Sequence, residues 1–553
     1  MSFDKPSDPP PAGEAPKLFR CGTLTYSKKG LVMLFGWLLW GDFCFTLMET
    51  VVPSIIPLKL QSLGASSSFI ALMMSALPGV FNTTICPWVS FKSDRHRGRL
   101  GRRMPFMIYT IPFVFISLIF IGFSEDIGGW LHSMFLSEST ITRTMAIIGV
   151  LGLFIGMFEL FNMFVSSVYF YLFNDVVPKQ FIGTFLSWFR LVGVLTSAGY
   201  QYFLFKFALS HMTEIYVGAA FLYLIGFGAM CFMVKEGKYP PPDDEGQKPS
   251  LLRDIKLFAK HCYSIPYYWD IFLHTTFNAV SGSIMIFGVF FLQSMGLDLG
   301  VIGKLGAFQS ILIAVCLVFA GILVDRFNPV RTEAHLLAFN LSGPFFSCVW
   351  LFAVAPDPST FFWVFISMNA FGSILSSMTQ AAAMPRLMMM FPGEMYGQFN
   401  GAQALIRSAG VMVGGFMAGV YLDFVKRFFA PDDLTVYRFI YLWVAVFTLL
   451  AYVFHYRAYR CWKRLGAEDS IPPKVFFRYA DLPKAKPAAA NKKLLLVPVL
   501  AFCGQLGASL FYMYYFQFRA PNPGNVVVFG VLATLLICFF LIYLRFVRFL
   551  ERP

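Results

Sequence analysis

Apolar runs of about twenty residues recur along the whole chain, separated by short polar loops. Fourteen can be marked: 31–58, 68–91, 104–124, 145–173, 185–209, 214–234, 267–294, 299–323, 333–355, 360–385, 399–425, 437–457, 494–516 and 525–546. A helix of about twenty residues is long enough to cross the ~30 Å hydrocarbon core of a bilayer. A membrane β-barrel needs alternating segments of about ten residues instead, and the pattern does not show them. The reading is an all-α polytopic membrane protein with 14 spans. Six spans (31–234) follow a tail at 1–30. A linker at 235–266, with "KYPPPDDEGQKPS" at its centre, leads to six more (267–460), and a second linker at 461–493 leads to a two-helix hairpin and tail at 494–553. Within the first linker, "LLRDIKLFAKHCY" (251–263) alternates apolar and basic residues at helical spacing, as an interfacial helix does.

Composition agrees with that pattern. Of 553 residues, 57% are hydrophobic and 13% charged, whereas a soluble domain has roughly 45–50% and 25%. A larger soluble core does not explain the excess, because single cores stop growing near ~250–300 residues. The ten cysteines are scattered, mostly inside apolar runs and without any CxxC, and read as small buried hydrophobes. The polar, Pro-rich first 30 residues lack the pattern of a cleavable signal peptide.

Charge adds orientation. The net charge of +14 sits largely in one set of loops: Lys5, Lys17, Arg20, Lys28 and Lys29, the 92–103 stretch, Lys235, Lys238, Arg326, Arg331, Arg457, Arg460, Lys463, Arg464, Arg545 and Arg548. Lys92–Arg103 alone holds six Lys/Arg and one histidine. The opposite loops carry acids such as Glu125, Asp126 and Glu138. Lys and Arg accumulate in cytoplasmic loops. This places both termini in the cytoplasm of a plasma (inner) membrane protein, and it accounts for the basic balance without nucleic acid.

The second six spans echo the first. "LQSLG" (60–64) returns as "LQSMG" (292–296), Asp94-Arg95 as Asp325-Arg326, and "PKQFIGTF" (178–185) as "PGEMYGQF" (392–399). An Arg-x-x-Gly follows each of the last pair, at Arg190–Gly193 and Arg407–Gly410. Two related six-helix halves joined by a linker are the layout of a secondary transporter.

Twelve spans in two halves, with an Asp-Arg motif after spans 2 and 8, resemble the major facilitator superfamily. That family's loop motif runs roughly G-x-x-x-D-R-x-G-R-R. Here Asp94 and Arg95 match, as do Gly101, Arg102 and Arg103 after a four-residue insertion, while Ser90 stands where the leading glycine would be. The second copy keeps Gly321, Asp325, Arg326 and Arg331. "SDRHRGRLGRRMPF" (93–106) and "FGWLLWGDF" (35–43) are similar to the sucrose transporters and the wider glycoside–pentoside–hexuronide:cation symporters. The resemblance implies a major facilitator fold with pseudo-twofold symmetry. It also implies a cytoplasmic gate in which Asp94, Arg95, Gly101, Arg102, Arg103, Asp325 and Arg326 latch helix ends through salt bridges that break in each cycle.

Ionisable residues inside apolar runs are costly and mark function by default. Asp42 lies about 11 residues into span 1, roughly 16 Å deep, where a carboxylate that loads and releases a proton or holds a cation serves symport. Glu49 is two turns further on the same face, and Glu159 lies midway along span 4. The repeat offset of 232 residues carries Asp42 onto His274, a group that titrates near neutral pH. Asp42, Glu49, Glu159 and His274 are the candidate coupling residues, each with a structural ion pair or a satisfied core position as the plain alternative. Arg190 lies ~8 Å from the cytoplasmic face and Glu159 ~22 Å, so Arg190 and its mirror Arg407 read as gate residues. Trp37, Trp40, Asn162, Asn278, Asn369 and Gln380 are candidates for binding a sugar, which needs aromatic platforms and amides. Tyr200, Gln201, Gln403 and Asp270 are further polar groups within spans.

No Walker A, no GxSxG and no pair of histidines four apart occurs. The expectation is a non-enzymatic secondary transporter with no cofactor or metal beyond a coupling ion (H⁺ or Na⁺), moving a sugar or glycoside by alternating access. An exporter or carrier of another amphipathic solute is the alternative. A non-transporting membrane receptor or scaffold on the same fold is the alternative of another class.

Overall fold

The structure is a computed structural model that describes residues 18–237, 258, 262–325, 328–351, 357–392, 395–428 and 435–464. Twelve helices among these are long and apolar enough to cross a membrane. They are α1 (Lys28–Ser62), α2 (Ser67–Arg95), α3 (Met104–Gly122), α4 (Arg143–Val176), α5 (Lys179–Phe203), α6 (Met212–Met233), α7 (Pro266–Ser294), α8 (Leu299–Asp325), α9 (Pro329–Leu351), α10 (Pro358–Met390), α11 (Tyr396–Phe428) and α12 (Thr435–Arg464). The two further spans expected at 494–516 and 525–546 lie outside the described residues, as do the linker from residue 465 on, most of the 251–263 segment, and Arg326. The structure supports twelve spans among its described residues.

Helix ends follow local chemistry. Ser27 caps α1 by accepting from Gly30 N (3.1 Å), Ser66 caps α2 from Phe69 N (3.2 Å), and Thr142 caps α4 from Met145 N (3.2 Å). The repeat seen in sequence is a repeat of termination: Gly64 after α1 has φ 74° and Gly296 after α7 has φ 84°. That left-handed conformation is one glycine adopts freely and other residues resist. Before α1, a short hairpin pairs β1 (Phe19–Cys21) with β2 (Leu24–Tyr26). It leans on the end of α4 through Cys21 Sγ, 3.4 Å from the carbonyls of Asp175 and Val177.

Packing obeys a twofold rule. In the first half α1 packs on α5 and α6, α4 on α2 and α3, and α3 on α6. Adding six to each helix number gives the second half: α7 on α11 and α12, α10 on α8 and α9, and α9 on α12. The halves meet through α2 with α11 and α5 with α8, two contacts that the same operation interchanges.

Small residues set the closeness of that meeting. A Cβ at Gly415 would fall 2.4 Å from Ser75 Cβ, and one at Gly419 2.4 Å from Ser67 O. On the other contact, a Cβ at Gly303 would fall 2.2 Å from Gln201 O. Without a hydrophobic drive between helices in lipid, such close backbone approach is what holds them together. The hydrogen bonds joining the halves lie away from the 92–103 loop. Asp423 of α11 accepts from Ser67 N and Ser68 N (2.8 Å each), and Gln61 Nε2 donates to Tyr437 OH (3.3 Å). Nearest the basic loop, Asn82 Nδ2 reaches Ser408 Oγ at 3.3 Å.

Candidate functional site

In the first half, α1 carries the polar face. Asp42 is 1% exposed; its Oδ1 accepts from Thr46 Oγ1 at 3.1 Å and its Oδ2 has no hydrogen-bond partner. Asp42 faces α5, where a Cβ on Gly193 would stand 3.9 Å from Oδ2. Two turns on, Glu49 accepts a hydrogen bond from Asn162 Nδ2 of α4. The Glu49 side chain keeps exposed surface and is not part of the packed core. Glu159, one turn before Asn162 and half-buried, lies within electrostatic reach of Glu49. No ion pair among the described residues reaches Asp42, Glu49 or Glu159. Arg190 is exposed and does not pair with Glu159. Three carboxyl groups without a basic partner in a membrane need protons or a bound cation to be neutralised.

Other candidates of this half fall elsewhere. Trp37 and Trp40 line an apolar groove between α1 and α6 with Met33, Phe221 and Ile225, and do not share the face of Asp42. The reason is periodicity: two residues on a helix are about 200° apart, so Trp40 points away from Asp42. Tyr200 accepts from Ser54 Oγ at 2.9 Å, which ties α5 to α1.

In the second half, His274 is 2% exposed and sits on α7 where the repeat pairs it with Asp42. Its Nδ1 lies 2.9 Å from the Ala451 carbonyl, so that nitrogen carries the hydrogen and donates it. Nε2 faces Glu333 Oε1 of α9 at 3.6 Å. Glu333 in turn stands 2.5 Å from Arg386 Nε of α10, and His455 of α12 stacks near His274 with ring centroids 4.7 Å apart. The ligand-type atoms of His274, Glu333 and His455 lie within 4.8 Å of one another. Arg386 already neutralises the one carboxylate of that group, so its chemistry is that of a buried ion pair flanked by imidazoles rather than of a metal centre.

A cavity of about 440 Å³ opens beside this cluster. Asn278 and Gln380, both expected as sugar ligands, line it together with His274, Glu333, Arg386, Asn400, Gln403 and Arg407. Asn369 is not among its walls and donates to the Phe365 carbonyl of its own helix at 2.8 Å. Asp270, one turn before His274, pairs with Arg457 at 3.3 Å. Gly410 of α11 packs on Thr276 of α7, with a Cβ there only 2.1 Å from Thr276 Cγ2. Gly193 holds the matching place on α5 but packs more loosely, a Cβ there lying 3.8 Å from Thr46 Oγ1 of α1.

Sequence reasoning passed over Glu333, Arg386 and His455. The apolar runs stop at or near these positions, which made them look like span ends. The helices run past the apolar stretches, to 329–351, 358–390 and 435–464, and carry all three inward. The available signal was a charged residue flush with an apolar run in each of two spans.

The basic loop is built around three acids. Arg103 Nη2 meets Asp94 Oδ1 at 2.5 Å, and Arg102 Nε donates to Asp175 Oδ2 at 2.9 Å. Arg103 Nε reaches the same Asp175 oxygen at 3.3 Å. Glu236, beyond α6, accepts from the backbone N–H groups of Arg102 (2.8 Å), Arg103 (2.8 Å) and Met104 (2.7 Å). Burial pushes the Glu236 carboxyl up from its ordinary value, and those three N–H groups pull against it. Gly101 has φ 103°, and a Cβ there would lie 2.7 Å from Glu236 Cβ, so the loop needs glycine on both counts. The loop therefore ties together the ends of α2, α4 and α6. Asp175 and Glu236 were not foreseen; both sit just where apolar runs end. Of the second copy of the motif, Asp325 ends α8, while its side chain and Arg326 lie outside the described residues.

No protein-family model matches the chain. The sucrose transport protein SUT5 of Oryza sativa subsp. indica is 38% identical over 68 residues, 12% of this chain and 12% of its own length, and the protein of that name from subsp. japonica matches equally. Among solved structures, a bacterial homologue of the human lysosomal transporter Spinster, inward-facing and unoccupied, superposes with a TM-score of 0.57 at 14% identity, covering 79% of this chain and 98% of that one. The nucleoside transporter NupG gives 0.56 at 14% identity over 77% and 98%. A bacterial homologue of the iron transporter ferroportin, inward-facing, gives 0.53 at 14% identity over 78% and 99%. Likeness at this level of identity is likeness of fold. Two six-helix halves exchanged by a pseudo-twofold, and superposable on these structures over most of their length, give this chain the same fold as these three structures.

Proposed function

We propose that the chain is a secondary active transporter that symports a sugar or glycoside with H⁺ or Na⁺ by alternating access. The observation that carries this is the set of carboxyl groups on α1 and α4 (Asp42, Glu49 and Glu159), held inside the first half with no basic partner among the described residues. Such a set gains or loses a cation at little structural cost, which is what coupling requires. The amide-lined cavity in the second half is suited to hydroxyl groups, and the short match to a sucrose transport protein points the same way. In this reading the basic end faces the cytoplasm. The halves, joined by Asp423 and Tyr437 at the other end, then stand in an inward-facing state.

The test is uptake of labelled glycosides into proteoliposomes with and without a pH or Na⁺ gradient. Accumulation under one gradient is the expected result. Failure to accumulate any glycoside under either gradient would sink the reading.

A further inference from the structure

The short hairpin before α1 grips the same two points that hold the basic loop. Along β1 and β2 the side chains alternate: Phe19, Cys21, Leu24 and Tyr26 are half-buried, while Arg20 and Thr25 are exposed. The turn between the strands uses Gly22 at φ 56°, the left-handed conformation that a two-residue hairpin loop asks of its first position. Two strands of three residues are too small to be stable alone. The hairpin therefore depends on the surface beneath it.

That surface is the end of the first half that carries the basic loop. Phe19 meets Phe181, at the start of α5, edge to face with ring centroids 5.1 Å apart. Cys21 Sγ lies 3.4 Å from the carbonyls of Asp175 and Val177, at a helix end where carbonyls lack helical partners. On the other side, a Cβ on Gly237 would stand 2.9 Å from Thr23 Oγ1, so glycine lets the chain beyond α6 pass this close. These contacts fall on the backbone beside the two carboxylates that hold the loop. The Asp175 carboxylate takes Arg102 Nε and Arg103 Nε, and Glu236, next to Gly237, accepts from the N–H groups of Arg102, Arg103 and Met104. The Asp175 side chain is 9% exposed, so its backbone sets where its carboxylate lies.

We propose that the hairpin is a positioning element of the gate. By holding the backbone at Asp175 and Gly237 it aims the two carboxylates that keep the basic loop tied to the ends of α2, α4 and α6. Undocking the hairpin frees the loop without altering any residue of the loop itself. The proposal rests on the transport reading for its effect on the cycle. Docking also covers the Cys21 thiol. Burial and the nearby Asp175 push that thiol up from its ordinary value, against the pull of Lys179. A docked thiol is thus a poor nucleophile, and a released one reacts faster.

The experiment is hydrogen exchange of the full chain in lipid nanodiscs, read by mass spectrometry, with maleimide labelling of Cys21 alongside. Phe19→Ala removes the ring contact and Phe19→Tyr keeps it. A further variant replaces residues 19–26 by alternating glycine and serine and leaves the Ser27 cap in place. Phe19→Ala is expected to speed exchange at Arg102, Arg103 and Met104 by about tenfold and to speed Cys21 labelling with it. Exchange at Ser67 and Ser68, whose N–H groups bond Asp423 at the far end, should stay unchanged. Phe19→Tyr should restore the protection. In proteoliposomes Phe19→Ala should lower turnover while affinity stays within about twofold, and joining it to Asp94→Ala should cost less than the product of the two losses. Unchanged exchange at 102–104 in the chain with residues 19–26 replaced overturns the proposal. So does equal acceleration at Ser67 and Ser68 in both Phe19→Ala and the replaced chain, which marks a general loss of fold. A loss of turnover that multiplies with that of Asp94→Ala overturns it as well. A loosened loop in a chain that transports no glycoside supports the positioning and fails the transport reading instead.

Discussion

Arg386 and Glu333 form an ion pair at 2.5 Å inside the second half, with each side chain 2% exposed. The pair joins α10 to α9, and His274 of α7 leans on the same carboxylate, so one interaction organises three helices. Removing one partner of a buried pair leaves an uncompensated charge at a cost of about 3–5 kcal/mol. Glu333→Gln is therefore expected to lower thermal stability in detergent sharply. The double variant Glu333→Gln with Arg386→Met should recover much of the loss, because it leaves no lone charge. A double variant no more stable than the single one would show that the pair is not the source of the effect.

Asp42 has one hydrogen bond, from a threonine one turn away, and a second oxygen without a partner. Asp42→Asn keeps the shape and removes the titrating and cation-binding capacity. Gradient-driven accumulation in proteoliposomes is expected to disappear, while exchange of internal for external substrate persists. Unchanged accumulation would take Asp42 out of the coupling role.

The basic loop is tied to α4 by Asp175 and to the end of α6 by Glu236. Asp94→Ala removes the partner of Arg103 at the end of α2. Asp94 is half exposed, so the folding cost is small. Turnover is expected to fall by more than substrate affinity changes, which stopped-flow uptake compared with equilibrium binding will read. A fall in affinity at constant turnover would show that the loop shapes the site rather than the cycle.

Asp423 caps the first turn of α2 from the other half by accepting two backbone N–H groups at 2.8 Å each. Loss of a helix cap costs about 1 kcal/mol, roughly a fivefold change in a two-state equilibrium. Asp423→Ala should shift the population towards separation of this end of the halves. Distances between spin labels placed at Gln61 and Tyr437 are expected to lengthen in a larger fraction of molecules. An unchanged distance distribution would show that the glycine contacts alone hold the interface.

Much of the fold was legible in the chain. Each of the twelve described helices was anticipated as an apolar run, because lipid demands continuous apolar length whatever the neighbours are. The repeat was legible as well, since turns that need a left-handed glycine, such as Gly64 and Gly296, reveal themselves by residue type. Asp42, Glu49, Glu159, Asn162 and His274 stood out because charge or polarity inside an apolar run is conspicuous. The grouping of Glu49 with Asn162 was not legible, because it depends on how α1 crosses α4.

What the sequence determined by itself was therefore one-dimensional: how many of these helices cross, how the halves repeat, and which polar groups lie at depth. Only the tertiary structure decided which of them meet. It brought Glu333, Arg386 and His455 together from helices that outrun their apolar stretches. It turned Trp37 and Trp40 towards α6, and it left Arg407 facing a cavity in place of a carboxylate. The physical reason is that helix length and burial follow from transfer of each segment out of water, a local property. Side-chain partnership follows from the crossing of helices far apart in the chain, which close packing at glycines such as Gly303, Gly410 and Gly415 fixes.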